Sequence, residues 1–148
     1  MLIREFSERD TEEITLLMKN LCILKGQEFD EERWRNSIME HMKKDSNSEV
    51  FVVFDDEKKS IIGMANCSIR TSDNKGNRFG LISNLIVKEE KRRLGIGEEI
   101  VRYIVDFFKR NHIHSIRLAL EQDADNAAKI LFTKLGFQET LHIYELKI

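Results

Sequence analysis

Six consecutive residues, Arg92-Arg93-Leu94-Gly95-Ile96-Gly97, join two cations to two glycines where an apolar run, Leu85-Ile86-Val87, gives way to a helical pattern. That combination suits an anion. Glycine permits backbone conformations closed to other residues and lets a ligand approach the chain closely. A helix start presents N–H groups without intrahelical partners and the positive end of the helix dipole. Together these hold phosphate through the backbone, and Arg92 and Arg93 add charge beside it. Neither familiar nucleotide signature fits. GxGxxG needs a third glycine, but Glu98-Glu99-Ile100 follows Gly97, and no glycine-lysine-serine or -threonine ending marks a P-loop. A plain basic loop with helix-start glycines has the same residues.

Other chemistry-bearing residues are scattered. Cys22 sits in a helical apolar pattern and Cys67 in a strand pattern, so both read as buried structural thiols. With no CxxC and no Cys/His cluster, neither a disulfide framework nor a metal site is indicated, and free thiols fit a reducing cytoplasm. His112 and His114 share a turn before a strand, with no third ligand in view. The 148 residues suit one domain over 1–148, 41% hydrophobic and 34% charged, with a formal net charge of −2. That charge gives no pull toward nucleic acid or an anionic membrane, and no apolar run is long enough to span a bilayer. Charge is divided, though: 15 acids and 10 bases over residues 1–60 give −5, and 11 acids and 14 bases over 61–148 give +3. A basic half takes an anionic ligand and an acidic half a cationic one.

The elements that must position the glycine loop follow from periodicity. Leu2 to Phe6 reads as a strand. Ser7 or Asp10 caps a helix to about Lys25, with Ile14, Leu17, Met18, Leu21 and Leu24 on one face. Asp30 caps a second, with Trp34, Ile38, Met39 and Met42 at helical spacing. The period then changes to that of strands: Val50 to Phe54, Ile61 to Arg70 and Phe79 to Val87, joined by polar turns at 55–60 and 72–77. Gly97 to Lys109 is an amphipathic helix with Ile100, Val101, Ile104, Val105 and Phe108 on one face. His114 to Leu120 reads as a strand, Asp125 to Leu135 as a helix, and Phe137 to Ile148 as a final strand region. The order β α α β β β α β α β implies a mixed α/β domain around one sheet.

In this setting the loop resembles motif A of the GNAT (GCN5-related) N-acetyltransferase superfamily: arginine or glutamine, two residues, glycine, one residue, glycine or alanine, here Arg92, Gly95 and Gly97. The segment Asn126-Ala127-Ala128-Lys129-Ile130-Leu131-Phe132-Thr133-Lys134-Leu135-Gly136-Phe137 resembles the family's closing helix. The element order matches as well, so the resemblance covers essentially the whole chain. It implies a mostly antiparallel mixed sheet flanked by helices, and acetyl-CoA as donor. The pyrophosphate would lie on amides from Arg92 to Gly97, near Glu98, with Asn126, Ala128 and Phe132 of the closing helix close by. Pantetheine would pair like an extra strand with Leu85, Ile86 and Val87. A backbone N–H in that segment would polarise the thioester carbonyl.

The resemblance also assigns an acid and a base, and this chain departs from both. The usual tyrosine acid is Phe132, which has no proton to give; Tyr144 is the substitute candidate and Tyr103 a lesser one. The position of the usual glutamate base is Ser83, followed by Asn84; Glu121, at the next strand's end, is the carboxylate candidate. The acceptor wall of the family falls on Glu28, Phe29 and Trp34, an acidic and aromatic stretch suited to a cationic amine. Three readings follow: an N-acetyltransferase acting on a small-molecule or peptide amine, an acyl-CoA sensor with little turnover, and a phosphate-binding domain unrelated to CoA. Relatives that pair through terminal strands make a homodimer an expectation, since LHIYELKI would otherwise be an exposed apolar edge.

Overall fold

The computed structural model describes residues 1–43, 47–72, 76–120 and 126–148. Five strands form one sheet: β1 (Leu2–Glu5), β2 (Ser48–Asp55), β3 (Ser60–Thr71), β4 (Arg78–Val87) and β5 (Ile116–Leu118), side by side in that order. Neighbours run antiparallel except β4 and β5, which are parallel. Helices α1 (Thr11–Leu24) and α2 (Glu31–His41) precede β2; α3 (Ile96–Arg110) joins β4 to β5; α4 (Asn126–Lys134) follows β5. β2 and β3 lie adjacent because a tight turn joins them. In the β2–β3 turn, Asp55 Oδ1 accepts from the amides of Glu57 at 3.0 Å and Lys58 at 3.4 Å.

Both faces of the sheet are covered, which is why its central strands read as continuous apolar runs. Val50, Val52, Met64 and Ile86 pack under α1 and α2 with Ile14, Leu17, Trp34 and Ile38. Phe51, Val53, Ala65, Cys67 and Ile82 pack under α3 with Ile96, Ile100, Ile104 and Phe108. The apolar stripe of α3 is the one its 3.6-residue period marks. The Trp34 indole donates to Thr15 Oγ1 at 3.1 Å and so ties α2 to α1 from within the core. Asp30 caps α2, its carboxylate accepting from the Arg33 amide at 3.0 Å. At the other end of the chain's first turn, Arg4 grips Asp10 with two bonds of 2.7 and 2.9 Å.

Two expected strands differ. Pairing in the His114–Leu120 region is confined to Ile116–Leu118, because β4 and β5 separate beyond Leu118. Phe137–Ile148 forms no strand: it has the apolar content but pairs with no strand among the described residues. Leu141, Ile143, Tyr144 and Leu146 are all more than 70% exposed there. The turn at 72–77 lies partly, and the start of the Asp125 helix wholly, outside the described residues. No described helix is long and apolar enough to cross a membrane.

Candidate functional site

The site begins at a fault in β4. Ile82 stands opposite Cys67 and Asn84 opposite Asn66, so Ser83 is an extra residue, a β-bulge. Pairing with β5 stops at the same level, at Ile82 opposite Leu118. From Ser83 to Val87, β4 is therefore paired with β3 on one side and with no strand on the other, among the described residues. That edge offers backbone donors and acceptors to an extended ligand, as strand addition requires. Ser83 is exposed there, Asn84, Leu85 and Val87 are half-buried, and Ile86 is held in the core.

The open edge leads into the glycine loop. After a 3-10 turn at Glu89–Lys91, Arg92 folds back and its Nε donates to the Val87 carbonyl at 3.1 Å. Arg93 has φ +65° and Gly95 φ +81°, two left-handed residues within three. Left-handed residues in a turn are the kind of backbone geometry from which concave anion seats are built. A left-handed residue other than glycine is costly, and such residues cluster where a ligand is held. Gly95 is itself the cap of α3, so the seat opens directly onto the first turn of that helix. Lys91 is paired with Asp55 at 3.6 Å and Lys88 with Glu90 at 3.9 Å. Arg92 and Arg93 are exposed with no carboxylate partner among the described residues.

Helix α4 closes the flank. Glu98, in the first turn of α3, accepts from Arg102 at 2.9 Å and Lys134 of α4 at 3.2 Å, and those bonds hold its carboxyl below the usual range. A Cβ on Gly97 would lie 3.6 Å from Leu131 Cδ2, an ordinary contact. Phe132 is buried and meets the Phe137 ring edge-on at 5.4 Å. Asn126 opens α4 and is exposed, and Ala128 is half-buried.

The remaining candidates scatter. Tyr144 is 94% exposed on the C-terminal tail. Tyr103 is a core neighbour of Phe51, with ring centroids 5.2 Å apart. Glu121 lies outside the described residues. Glu28 is exposed, Phe29 is half-buried against the α1/α2 core, and Trp34 is buried with its indole N–H engaged. Both cysteines are free and buried, and burial, then the nearby Glu49, pushes the Cys67 thiol up to about 12, which silences it as a nucleophile. No group of three or more His, Cys, Asp or Glu among the described residues is placed to hold a metal. A cleft of about 370 Å³, lined by residues that include His41, Glu49 and Val50, opens at the far end of β2, apart from the cradle.

Three site features escaped the sequence: the bulge at Ser83, the left-handed Arg93 and the burial of Asn66 beside Asn84. A bulge depends on the partner strand's register, and nothing in the Arg93 residue type signals positive φ. Asn66 did carry a faint signal, a lone amide in the otherwise apolar run Ile61 to Cys67.

The family model described as Acetyltransferase (GNAT) family matches residues 13–137. No curated protein matches the chain. Among solved structures, one described as a probable acetyltransferase superposes with a TM-score of 0.84 at 18% identity, covering 100% of this chain and 98% of that one. A protein described as a transcriptional regulator from Bacillus halodurans C-125 gives 0.82 at 21% identity, covering 99% of both. The aminoglycoside 6'-N-acetyltransferase AAC(6')-IG from Acinetobacter haemolyticus gives 0.80 at 18% identity, covering 100% and 98%. At these identities the structural likeness speaks for the fold.

The two glycines separate by stability. A Gly95 Cβ would meet nothing within 4 Å, so its demand is for φ alone. Gly95→Val places a β-branched residue in the left-handed region and lowers the melting temperature by about 2–8 °C, about 1–2 kcal/mol. Gly97→Ala adds a helix former where there is room and raises stability by about 0.5–1 kcal/mol. An unchanged melting temperature for Gly95→Val would mean that the loop is free to leave this conformation.

Proposed function

This chain belongs to the acetyltransferase (GNAT) family, and we propose that it moves the acetyl group of acetyl-CoA to a primary amine of a small molecule or peptide, by direct attack while both are bound. The observation that carries the reading is the continuity of the open β4 edge, Ser83–Val87, with the seat at Arg92–Gly97. One extended ligand with a peptide-like arm and a pyrophosphate matches both in sequence along the chain. In this reading the arm lies along Leu85, Ile86 and Val87, and the diphosphate rests on the amides of Arg92 to Gly97 with Arg92 and Arg93 alongside. Glu98, Asn126, Ala128 and Phe132 line the flank that α4 closes.

The amine enters as the neutral base, although a free alkyl amine has a pKa near 10. Its lone pair attacks the thioester carbonyl carbon, the carbon–sulfur bond breaks, and the proton leaves the nitrogen for water. A β4 amide at the bulge polarises the carbonyl. Ser83 and Asn84 orient the amine or that water, and Glu121 is the candidate to receive the proton. Phe132 supplies no proton, and Tyr144 stands on an exposed tail, so the thiolate departs unassisted or through water. Glu28 and Phe29 form the outer wall facing a cationic acceptor, while Trp34 supports that wall from the core. The buried free thiols of Cys22 and Cys67 suit a cytoplasmic setting.

We propose further that the chain pairs with a second copy through its C-terminal segment. Leu141, Ile143, Tyr144, Leu146 and Ile148 are exposed and belong to no strand, and β5 has strand pairing on one edge only among the described residues. Each supplies what the other lacks.

Two measurements test these readings. Release of CoA thiol from acetyl-CoA, over a panel of polyamines, aminoglycosides, amino acids and short peptides, is expected with one amine class, with the acetylated product seen by mass. Acetyl-CoA that stabilises the fold without thiol release over the panel would favour a sensor over an enzyme. In light scattering during gel filtration, the chain is expected to elute as a dimer and Ile143→Lys as a monomer. A monomeric wild type would contradict the pairing.

A further inference from the structure

Asn66 is 3% exposed, and its Oδ1 has no hydrogen-bond partner among the described residues. A buried amide oxygen left unpaired is destabilising, so its presence in the middle strand of a sheet needs a reason. An apolar residue would have filled the position more favourably.

Its place supplies the reason. Asn66 stands directly opposite Val50 on β2 and Asn84 on β4. Directly opposed residues point to the same face, so Asn66 and Asn84 share the face of Val50 and Ile86, the one that α1 and α2 cover. Asn84 borders the Ser83 bulge at the level where β5 leaves the sheet. Opposed side chains in an antiparallel pair have Cβ atoms about 4.5–5.5 Å apart. A donor group bound beside Asn84 would therefore lie next to the Asn66 side chain, whose oxygen is closed to solvent in this structure. The α1–α2 connection, with Glu28 and Phe29, lies over the same face.

We infer that Asn66 Oδ1 is a binding group for the acceptor, accepting an N–H from the attacking primary amine. The inference rests on the acetyl-transfer reading and adds to it the residue that holds the nucleophile. The chemistry suits an amide. A carboxylate at this position would bind the ammonium form and keep the amine protonated, hence unreactive. An amide oxygen accepts from the neutral amine, leaves its lone pair free for the carbonyl carbon, and holds the same N–H as positive charge develops on nitrogen. Asn66 takes no proton in this step; the proton passes to water or to a base.

The test uses the full-length chain, acetyl-CoA and the amine that the wild type turns over. Asn66→Leu is expected to unfold in urea at the wild-type midpoint or above it. Its KM for acetyl-CoA stays within about twofold, and its KM for the amine rises at least tenfold. Asn66→Asp is the second variant, near-isosteric and still carrying an oxygen. It is expected to shift the rising limb of the kcat profile to higher pH, because an anion raises the pKa of the bound amine. A lowered urea midpoint for Asn66→Leu with an unchanged amine KM would overturn the inference and make Asn66 a structural amide. So would an unchanged pH profile for Asn66→Asp. A wild type that turns over no amine would remove the acetyl-transfer reading, and this inference with it; that outcome is read before either variant is made.

Discussion

A parallel pair of strands that stays together for only three residues governs the rest of this molecule. Ile82 and Leu118 are the last paired level of β4 and β5. Beyond it β4 continues for five residues with one edge unpaired among the described residues, and the bulge at Ser83 lies just past that level. A bare edge inside an α/β layer structure is costly unless something pairs with it. Here the edge points along the chain into the Arg92–Gly97 seat, and α3 starts at the end of that seat. The strand separation, the bulge, the left-handed pair and the helix start form one continuous backbone surface, with side chains of little consequence along most of it. The core explains how it is held open: Ile86 and Ile82 anchor β4 from opposite faces, and Ile96 and Ile100 anchor the first turns of α3.

Several positions are filled against the preference of the fold. Arg93 is left-handed without being glycine, Gly97 sits inside a helix where alanine has room, and Asn66 buries an amide oxygen unpaired. Each costs on the order of 1 kcal/mol or somewhat more. These three lie from the middle of the sheet past the bulge to the start of α3, while Lys59 and His112 are left-handed in turns elsewhere and His41, beside β2, buries a nitrogen unpaired among the described residues. Cys67, next to Asn66, shows the contrast: burial has made it inert, and it packs as an ordinary core residue.

The frame of the fold was legible because its signals are local. Short apolar runs bounded by polar turns marked β2, β3 and β4, and the α3 stripe of Ile100, Ile104 and Phe108 gave the helix its buried face. The glycine loop was legible because backbone freedom and a helix start both have residue signatures. The tail was misread as a strand because Leu141, Ile143 and Leu146 have strand character, whereas strand formation needs a partner that periodicity cannot supply. Trp34 could be read as core or cleft from spacing alone; the bond to Thr15, nineteen residues earlier, decides for the core. The bulge and the isolation of Asn66 arise from register between β3 and β4, a relation between distant segments that neither segment shows by itself.

The central claim is that acetyl-CoA lies along the β4 edge and into the loop beyond it. The most direct measurement is backbone amide NMR during titration with acetyl-CoA, ATP and NAD in turn. With acetyl-CoA, the amides of Ser83–Val87 and Arg92–Gly97 should shift together and saturate at one concentration, while ATP and NAD leave Ser83–Val87 in place. Saturable acetyl-CoA binding that leaves both stretches unmoved, or equal shifts with ATP along both, would contradict the account.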